Sequence, residues 1–161
     1  DVCSSDLSQY LYLNATNAVT SQLNGWGTAA HTLADFGMDE STFGLTNGSA
    51  SVAYLFATKA GISKVGSYTG NGSSQTINAG FTTGARFILI KRTDSNGDWY
   101  VWDSTRGIVA GNDPHLSLNT TDAEVTTDDS VDPDNSGFIV NQLAASNINV
   151  NTATYIYLSF A

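Results

Sequence analysis

Cysteine is nearly absent from this 161-residue sequence, in which Cys3 is the only one. A single cysteine excludes an internal disulfide framework and a metal site built from several thiolates. Positive charge is also scarce, because 6 Lys and Arg residues stand against 15 acidic residues and give a net charge of −9. This balance argues against nucleic acid and membrane surfaces as partners, since both need a basic face on the protein. No run of about eighteen apolar residues occurs, so we expect no membrane-spanning helix.

The first seven residues, DVCSSDL, hold that cysteine and two of the acids, Asp1 and Asp6. Their back-translation resembles the end of a common sequencing adapter read in frame. We interpret residues 1–7 as an adapter-derived artefact and exclude them from fold reasoning. The remaining chain is then expected to be a fragment of a longer, metagenomic reading frame with a net charge of −7. The alternative is an ordinary polar N-terminal tail.

Thr, Ser, Asn and Gly fill most polar positions, and these residues favour strands and turns over helices. Period-two alternation, turn residues and the continuous apolar run at Phe87–Ile90 predict seven strands, which are Lys64–Gly70, Gln75–Phe81, Ala85–Thr93, Asp98–Thr105, His115–Asn119, Gly137–Leu143 and Thr154–Ala161. Asn96 and Gly97 predict a tight hairpin turn, because both residues readily adopt positive φ angles. The pattern as a whole predicts an all-β, antiparallel β-sandwich or jelly roll.

Two pairs of segments are similar to each other along the chain. Residues 10–18 align with residues 115–123 at an offset of 105, and residues 51–57 align with residues 155–161 at an offset of 104. Phe43 and Phe138 align between these anchors. Matches in the same order predict a duplication. We therefore interpret residues 62–161 as one complete β-sandwich unit and residues 8–58 as the truncated C-terminal half of a preceding copy.

Three motifs carry a resemblance to a known family: GSYTGNGS at residues 66–73, FILIKR at 87–92 and WYVWDSTRG at 99–107. They resemble an uncharacterised domain family that recurs, often in tandem, in structural proteins of marine tailed bacteriophages. A proline that usually follows the Gly-Phe of the second strand is absent after Phe81, so the turn into the next strand is expected to differ. The resemblance implies a virion setting, in a tail fibre or related appendage, and supplies no catalytic residues.

The aromatic segment after the predicted hairpin is the candidate ligand groove. Sugar-binding proteins stack pyranose faces on exposed rings beside polar groups, and the segment supplies both: Trp99, Tyr100, Trp102, Asp103 and Arg106. The alternative is structural, because aromatic residues in a β-sandwich usually belong to the core. In that case Asp103 and Arg106 form an ion pair at a strand end.

The acidic stretch at residues 127–137 is the candidate metal site. Asp128, Asp129, Asp132 and Asp134 supply the carboxylate oxygens that calcium prefers. The spacing resembles the start of a calcium loop, but Leu143 stands where the bidentate glutamate of such a loop belongs. The alternative is a solvated loop, and no cofactor other than weakly bound calcium is predicted.

The sequence predicts a protein without enzymatic activity. His31 and His115 lie in unrelated contexts, and Ser104 lacks the glycine elbow that exposes a nucleophile. Our first hypothesis is a virion structural module with a display or host-attachment role, whose partners are other virion proteins and further copies of itself, with a homotrimer expected by analogy. The second is a carbohydrate-binding module of a secreted or virion-attached protein that binds host surface glycans. The third is a polysaccharide depolymerase, for which paired carboxylates would be needed.

Overall fold

A computed structural model describes residues 9–21, 50, 52–141 and 146–161. The contacts divide the chain into two units. The smaller unit comprises Asp1–Leu11 and Val19–Leu55, and the larger comprises Tyr12–Ala18 and Phe56–Ala161. Every regular element within the described ranges is a strand, and all pairings between strands are antiparallel. The predicted all-β, antiparallel fold class is confirmed.

The described part of the smaller unit contains one short ladder. Strands β1 (Gln9–Tyr10) and β2 (Thr20–Ser21) pair through Gln9 with Ser21 and Tyr10 with Thr20. Residues 52–55 carry no regular structure, and the side chain of Tyr54 is 81% exposed. The adapter-like residues 1–7 and most of the predicted half copy, including Phe43, lie outside the described residues.

The larger unit contains a five-stranded sheet in the order β3-β10-β5-β6-β7. Its strands are β3 (Ser63–Thr69), β5 (Phe87–Arg92), β6 (Trp99–Asp103), β7 (Leu116–Ser117) and β10 (Thr154–Phe160). The last strand of the chain, β10, is inserted between β3 and β5 and pairs with both over most of its length. The sheet therefore becomes continuous only when residues about 90 positions apart have met.

A second sheet of three strands has the order β4-β9-β8. It consists of β4 (Gln75–Asn78), β8 (Val131–Asp134) and β9 (Gly137–Val140). The interpretation of residues 127–137 as a loop was wrong for β8, which forms a hairpin with β9. Pro133 is compatible with this strand because β8 lies at the sheet edge, where a missing N–H donor is tolerated.

Both sheets contribute to one hydrophobic core, which is a β-sandwich-like arrangement. Ile88 and Ile90 of β5 alternate inward, as do Tyr155 and Tyr157 of β10, while Phe138 and Val140 extend from β9. Residues Ile148 and Ala153 from the connection before β10 complete the cluster. Tyr68 and Tyr155 stack at a ring-centroid distance of 4.9 Å. Such pairs contribute about 0.5–1.5 kcal/mol beyond burial of their area.

All seven predicted strands occur, although most are shorter than their predicted ranges; residues 142–143 of the Gly137–Leu143 strand lie outside the described residues. The β5–β6 hairpin is confirmed, but its turn chemistry was wrong. Neither Asn96 nor Gly97 is among the described residues with a positive φ angle. The loop is closed by side chains instead, since the Lys91 Nζ donates to the carbonyl oxygen of Gly97 at 2.8 Å.

Candidate functional site

Strand β6 carries the aromatic residues of the predicted groove, and the structure does not assemble that groove. Successive side chains of a strand point to opposite faces, which separates Trp99 from Tyr100 and Trp102. Trp102 is 0% exposed and belongs to the core, where its ring lies 5.2 Å from that of His115. A fully buried ring cannot stack on a sugar, so the prediction that Trp102 binds a ligand was wrong.

Trp99 has a different role, because it holds the segment Tyr12–Ala18. Its indole Nε1 donates a hydrogen bond of 2.8 Å to the carbonyl oxygen of Tyr12. Its backbone N–H donates at 2.8 Å to the Oδ1 of Asn119, which also donates through Nδ2 to Asp98. The residue therefore links the β5–β6 hairpin to two separate segments of the larger unit.

Asp103 and Arg106 close the turn that follows β6. The Asp103 Oδ1 accepts the backbone N–H groups of Thr105 and Arg106, each at 2.9 Å, and its Oδ2 pairs with the Arg106 guanidinium. The pKa of the Asp103 carboxyl is lowered, chiefly by the backbone N–H of Arg106. Arg106 Nε also lies 2.8 Å from Glu124 Oε1. The structure thus gives this pair the strand-end role that the sequence left as the alternative to a ligand groove.

The four acids proposed for calcium are divided among different partners. Asn141 Nδ2 donates to Asp129 at 2.8 Å and to Asp132 at 2.9 Å. Asp134 Oδ1 accepts the backbone N–H and the hydroxyl of Ser136, and these bonds lower the pKa of Asp134. Asp128 accepts a hydrogen bond of 2.7 Å from Ser130. Among the residues that the structure describes, no three His, Cys, Asp or Glu side chains are grouped so as to hold a metal ion.

A buried carboxylate that the sequence did not single out lies beside β8. Asp113 is 0% exposed, and its Oδ2 accepts the backbone N–H groups of Ser130 at 2.8 Å and Val131 at 3.0 Å. Its Oδ1 is buried without a hydrogen-bond partner in the described structure. Burial raises the pKa of Asp113 to about 6, against the lowering effect of the two N–H groups. The side chain caps the start of β8 at an electrostatic cost.

His115 and Ser130 lie on either side of Asp128 in the same region. His115 Nδ1 lies 3.8 Å from Asp128 Oδ2, and burial lowers the pKa of this histidine. Ser130 Oγ gives its proton to Asp128, so Ser146 is the donor in the 2.8 Å bond between the two hydroxyls. A nucleophile triad requires the imidazole between serine and carboxylate, whereas here the carboxylate is in the middle. The cluster ties the loop before β7 to β8.

A cleft of about 300 Å³ lies beside the β5–β6 hairpin. It is lined by Thr16, Arg92, Asn96, Gly97, Asp98, Tyr100, Ser146, Asn147, Ile148 and Tyr155. Burial raises the pKa of Tyr100 to about 12, with Asp98 adding to the effect, so its hydroxyl stays protonated and faces Asp98 at 3.4 Å. Exposed amides, a guanidinium, a carboxylate and one half-buried ring are the groups that hydrogen-bond and stack on sugars.

Of the five residues predicted to bind a ligand, only Tyr100 lines this cleft. The sequence reasoning missed Asn96, Asp98 and Asn147. The Asn-Gly signal at 96–97 was available, but it was interpreted only as turn chemistry. Asn147 could not be found by pattern, because it reaches the cleft from a loop about 50 residues further along.

Comparison with known proteins places the chain in a family. The family model described as "Domain of unknown function (DUF7483)" matches residues 2–161. The chain belongs to this family. No curated protein and no solved structure matches it. Across the described ranges, no helix is both long enough and apolar enough to cross a membrane.

In this member of the DUF7483 family, two similar segments also share local structure. Tyr10 pairs with Thr20, and 105 residues later His115 forms an antiparallel bridge with Val125. The Ala15 N–H donates to the Tyr12 carbonyl at 3.4 Å, and the Thr120 N–H donates to the Ser117 carbonyl at 3.5 Å, again 105 residues later. A turn therefore occupies the same place in both sequence-aligned segments.

Proposed function

We propose that this chain is a non-enzymatic structural module of a tailed bacteriophage virion, in a tail fibre or related appendage. It works there by association with further copies of the same unit and by display of a host-attachment surface. The observation that carries the proposal is the matching local structure of two segments 105 residues apart, since tandem copies of one unit are typical of extended fibrous proteins. The resemblance of residues 66–73, 87–92 and 99–107 to phage structural domains supports the virion setting.

The larger unit has properties that suit such a role. Strand β10 is paired on both sides, and the ring of Tyr68 from β3 packs against Tyr155 and Tyr157 of β10. Within this unit, the segment Tyr12–Ala18 is anchored to the β5–β6 hairpin by Lys91 and Trp99. The acidic surface disfavours nonspecific contact with the DNA of the particle.

The test is the composition of the virus particle. Particles of the parent phage are purified by density gradient, washed with protease-free buffer and analysed by mass spectrometry, with the host lysate as the control. Antibodies raised against the recombinant chain are then located by electron microscopy. Peptides of this chain enriched in particles, and labelling at the tail, are expected. Peptides confined to the lysate fraction would refute the proposal.

The second candidate function is carbohydrate binding, which the cleft beside the β5–β6 hairpin favours. The partly exposed side chain of Arg92 lines the cleft. Its guanidinium donates hydrogen bonds of 3.0 and 3.1 Å to the carboxylate of Asp94. Asn96 is exposed at the rim. Such fixed donors lower the entropic cost of binding a hydroxylated ligand.

A glycan array on the full chain tests this candidate, with Asn96→Ala and Arg92→Ala as cleft variants. Arg106→Ala is the matched control, because Arg106 is also ion-paired but lies outside the cleft. A glycan that binds the native chain and the control, but binds the two cleft variants about tenfold more weakly, would support the cleft. Equal binding by all four proteins would exclude it. Chain shortening of a bound polysaccharide would instead support the depolymerase hypothesis.

A further inference from the structure

Three residues of the β5–β6 hairpin, Lys91, Gly97 and Trp99, form what we call the hairpin seat. The segment Tyr12–Ala18 occupies this seat through three hydrogen bonds. Lys91 Nζ and the Gly97 N–H both donate to the carbonyl oxygen of Thr16 at 2.9 Å, and Trp99 Nε1 donates to the carbonyl oxygen of Tyr12 at 2.8 Å. The seat thus recognises two backbone carbonyls four residues apart, on either side of a turn.

A second segment of the chain carries the same features. Residues 12–18 read YLNATNA and residues 117–123 read SLNTTDA, with Leu, Asn, Thr and Ala at matching positions. The turn also matches, because the Thr120 N–H donates to Ser117 as the Ala15 N–H donates to Tyr12. The carbonyls of Ser117 and Thr121 therefore correspond to the two that the seat binds. We call residues 117–123 the second loop.

The register of β7 directs this loop outward. Leu118 N–H donates to the Trp99 carbonyl at 2.8 Å, which makes Trp99 and Leu118 a hydrogen-bonded pair. Bonded and non-bonded pairs alternate in an antiparallel ladder, so Tyr100 and Ser117 are a non-bonded pair. The Ser117 carbonyl therefore points away from β6, to the side on which His115 bridges with Val125. Leu118 is 45% exposed and Thr121 is exposed.

We propose that the second loop binds the hairpin seat of a second copy of this unit. The seat of the same chain is already filled by Tyr12–Ala18, which lies 75 residues before Lys91 in sequence. Residues 12–18 align with the second loop, so in a tandem array the second loop stands before the seat of the following copy as Tyr12–Ala18 stands before the seat of this one. This inference deepens the proposed function, because it names the contact through which copies associate, and it rests on that function.

A loop graft in the full chain tests the fit. Residues 12–18 are replaced by SLNTTDA in one variant and by a Gly-Ser sequence of equal length in the control. Hydrogen exchange of the Gly97 amide and the NMR signal of the Trp99 indole N–H report on the seat. In the graft we expect Gly97 exchange within about threefold of the native rate, and in the Gly-Ser control exchange at least about tenfold faster. A graft that behaves like the control, or a control that behaves like the native chain, overturns the proposal.

Binding between molecules is tested with a synthetic peptide of residues 114–125 added to the Gly-Ser variant. Restored Gly97 protection, absent with a scrambled peptide, supports the proposal, and no change on a folded Gly-Ser chain overturns it. If the Gly-Ser chain does not fold, the graft decides alone, since a folded graft then supports the fit and an unfolded one refutes it. The graft tests only the contact between the second loop and the hairpin seat, and it does not depend on whether the chain is part of a virus particle. A failed graft would therefore refute this contact without refuting the virion assignment.

Discussion

Lys91 Nζ donates a 2.9 Å hydrogen bond to the carbonyl oxygen of Thr16, across 75 positions of sequence. The lysine is 0% exposed, and a second bond of 2.8 Å reaches the carbonyl of Gly97. Its pKa is lowered because burial disfavours the charge, while Asp98 opposes that effect. A buried ammonium is retained only where acceptors compensate for lost water. Here the acceptors are two backbone segments that the lysine holds together.

Replacing Lys91 by methionine keeps the length of the side chain and removes both donors. We expect the free energy of unfolding to fall by about 1–3 kcal/mol, because the carbonyls of Thr16 and Gly97 lose their charged partner. Gly97 amide exchange should accelerate as the segment loosens. The measurements are urea denaturation and hydrogen exchange, and Lys59→Met, at an exposed lysine, is the control. Equal effects of the two substitutions would contradict the anchoring role.

Asp113→Asn should change how stability depends on pH. The folded-state pKa of Asp113 is about 6 against an ordinary 3.8, so the folded chain binds the proton more tightly. Its contribution to stability is present below about pH 3.8 and is lost as pH rises through about 6, a loss of up to about 3 kcal/mol. The asparagine variant should lack this decline. Denaturation between pH 4 and 7 measures it, with the exposed Asp122→Asn as the control; parallel profiles for native and Asp113→Asn chains would refute the assignment.

His115 should make stability depend on pH in the opposite direction to Asp113. Burial lowers its pKa below the ordinary 6.5, so the unfolded chain binds the proton more tightly. The stability due to His115 is present above about pH 6.5 and is lost as pH falls through the folded-state value. In the Asp113→Asn variant, the loss of stability with falling pH should be measurable without the opposing contribution of Asp113. Adding His115→Asn should then flatten the profile, and an unchanged slope would exclude His115 as its source.

Tyr155→Phe should destabilise the larger unit through one hydroxyl. That hydroxyl donates to the Asn147 carbonyl at 2.7 Å and accepts the Val150 N–H at 3.1 Å, which fixes the loop before β10. We expect a loss of about 1–2 kcal/mol, since two part-buried backbone groups lose their partner. Tyr157→Phe is the matched control on the same face of β10, because its hydroxyl forms no hydrogen bond within the described ranges. Thermal denaturation of both variants is the measurement, and equal midpoints would contradict the prediction.

Gly137→Ala should disrupt the pairing of β4 with β9. An added Cβ would overlap the carbonyl oxygen of Ile77 and approach the backbone nitrogen of Ala79 to 2.9 Å, and neither atom belongs to a flexible side chain. We expect a cost of about 2–4 kcal/mol. Gly80→Ala separates this effect from backbone strain, because Gly80 has φ +76° and open space around it, and should cost only about 1–2 kcal/mol. Comparable losses would show that close approach is not the cause.

Local patterns in the sequence were enough to predict most strands of the larger unit. Alternating apolar residues, turn residues and the continuous apolar run at Phe87–Ile90 located all seven predicted strands and the β5–β6 hairpin. Strand β8 was missed, since Asp132, Pro133 and Asp134 lack apolar alternation and are typical of loops. That strand forms because β9 supplies its backbone hydrogen bonds, a partner that no local pattern reveals.

Which groups are available to a ligand or a partner depends on how the two sheets pack. Period two separates Trp99 from Trp102, but it does not say which of the two faces the core, and the packing of the sheets buried Trp102. The cleft, the cap at Asp113 and the anchor at Lys91 each join residues far apart in sequence. Their formation depends on sheet order and on β10 closing between β3 and β5, which are long-range events that local preferences do not encode.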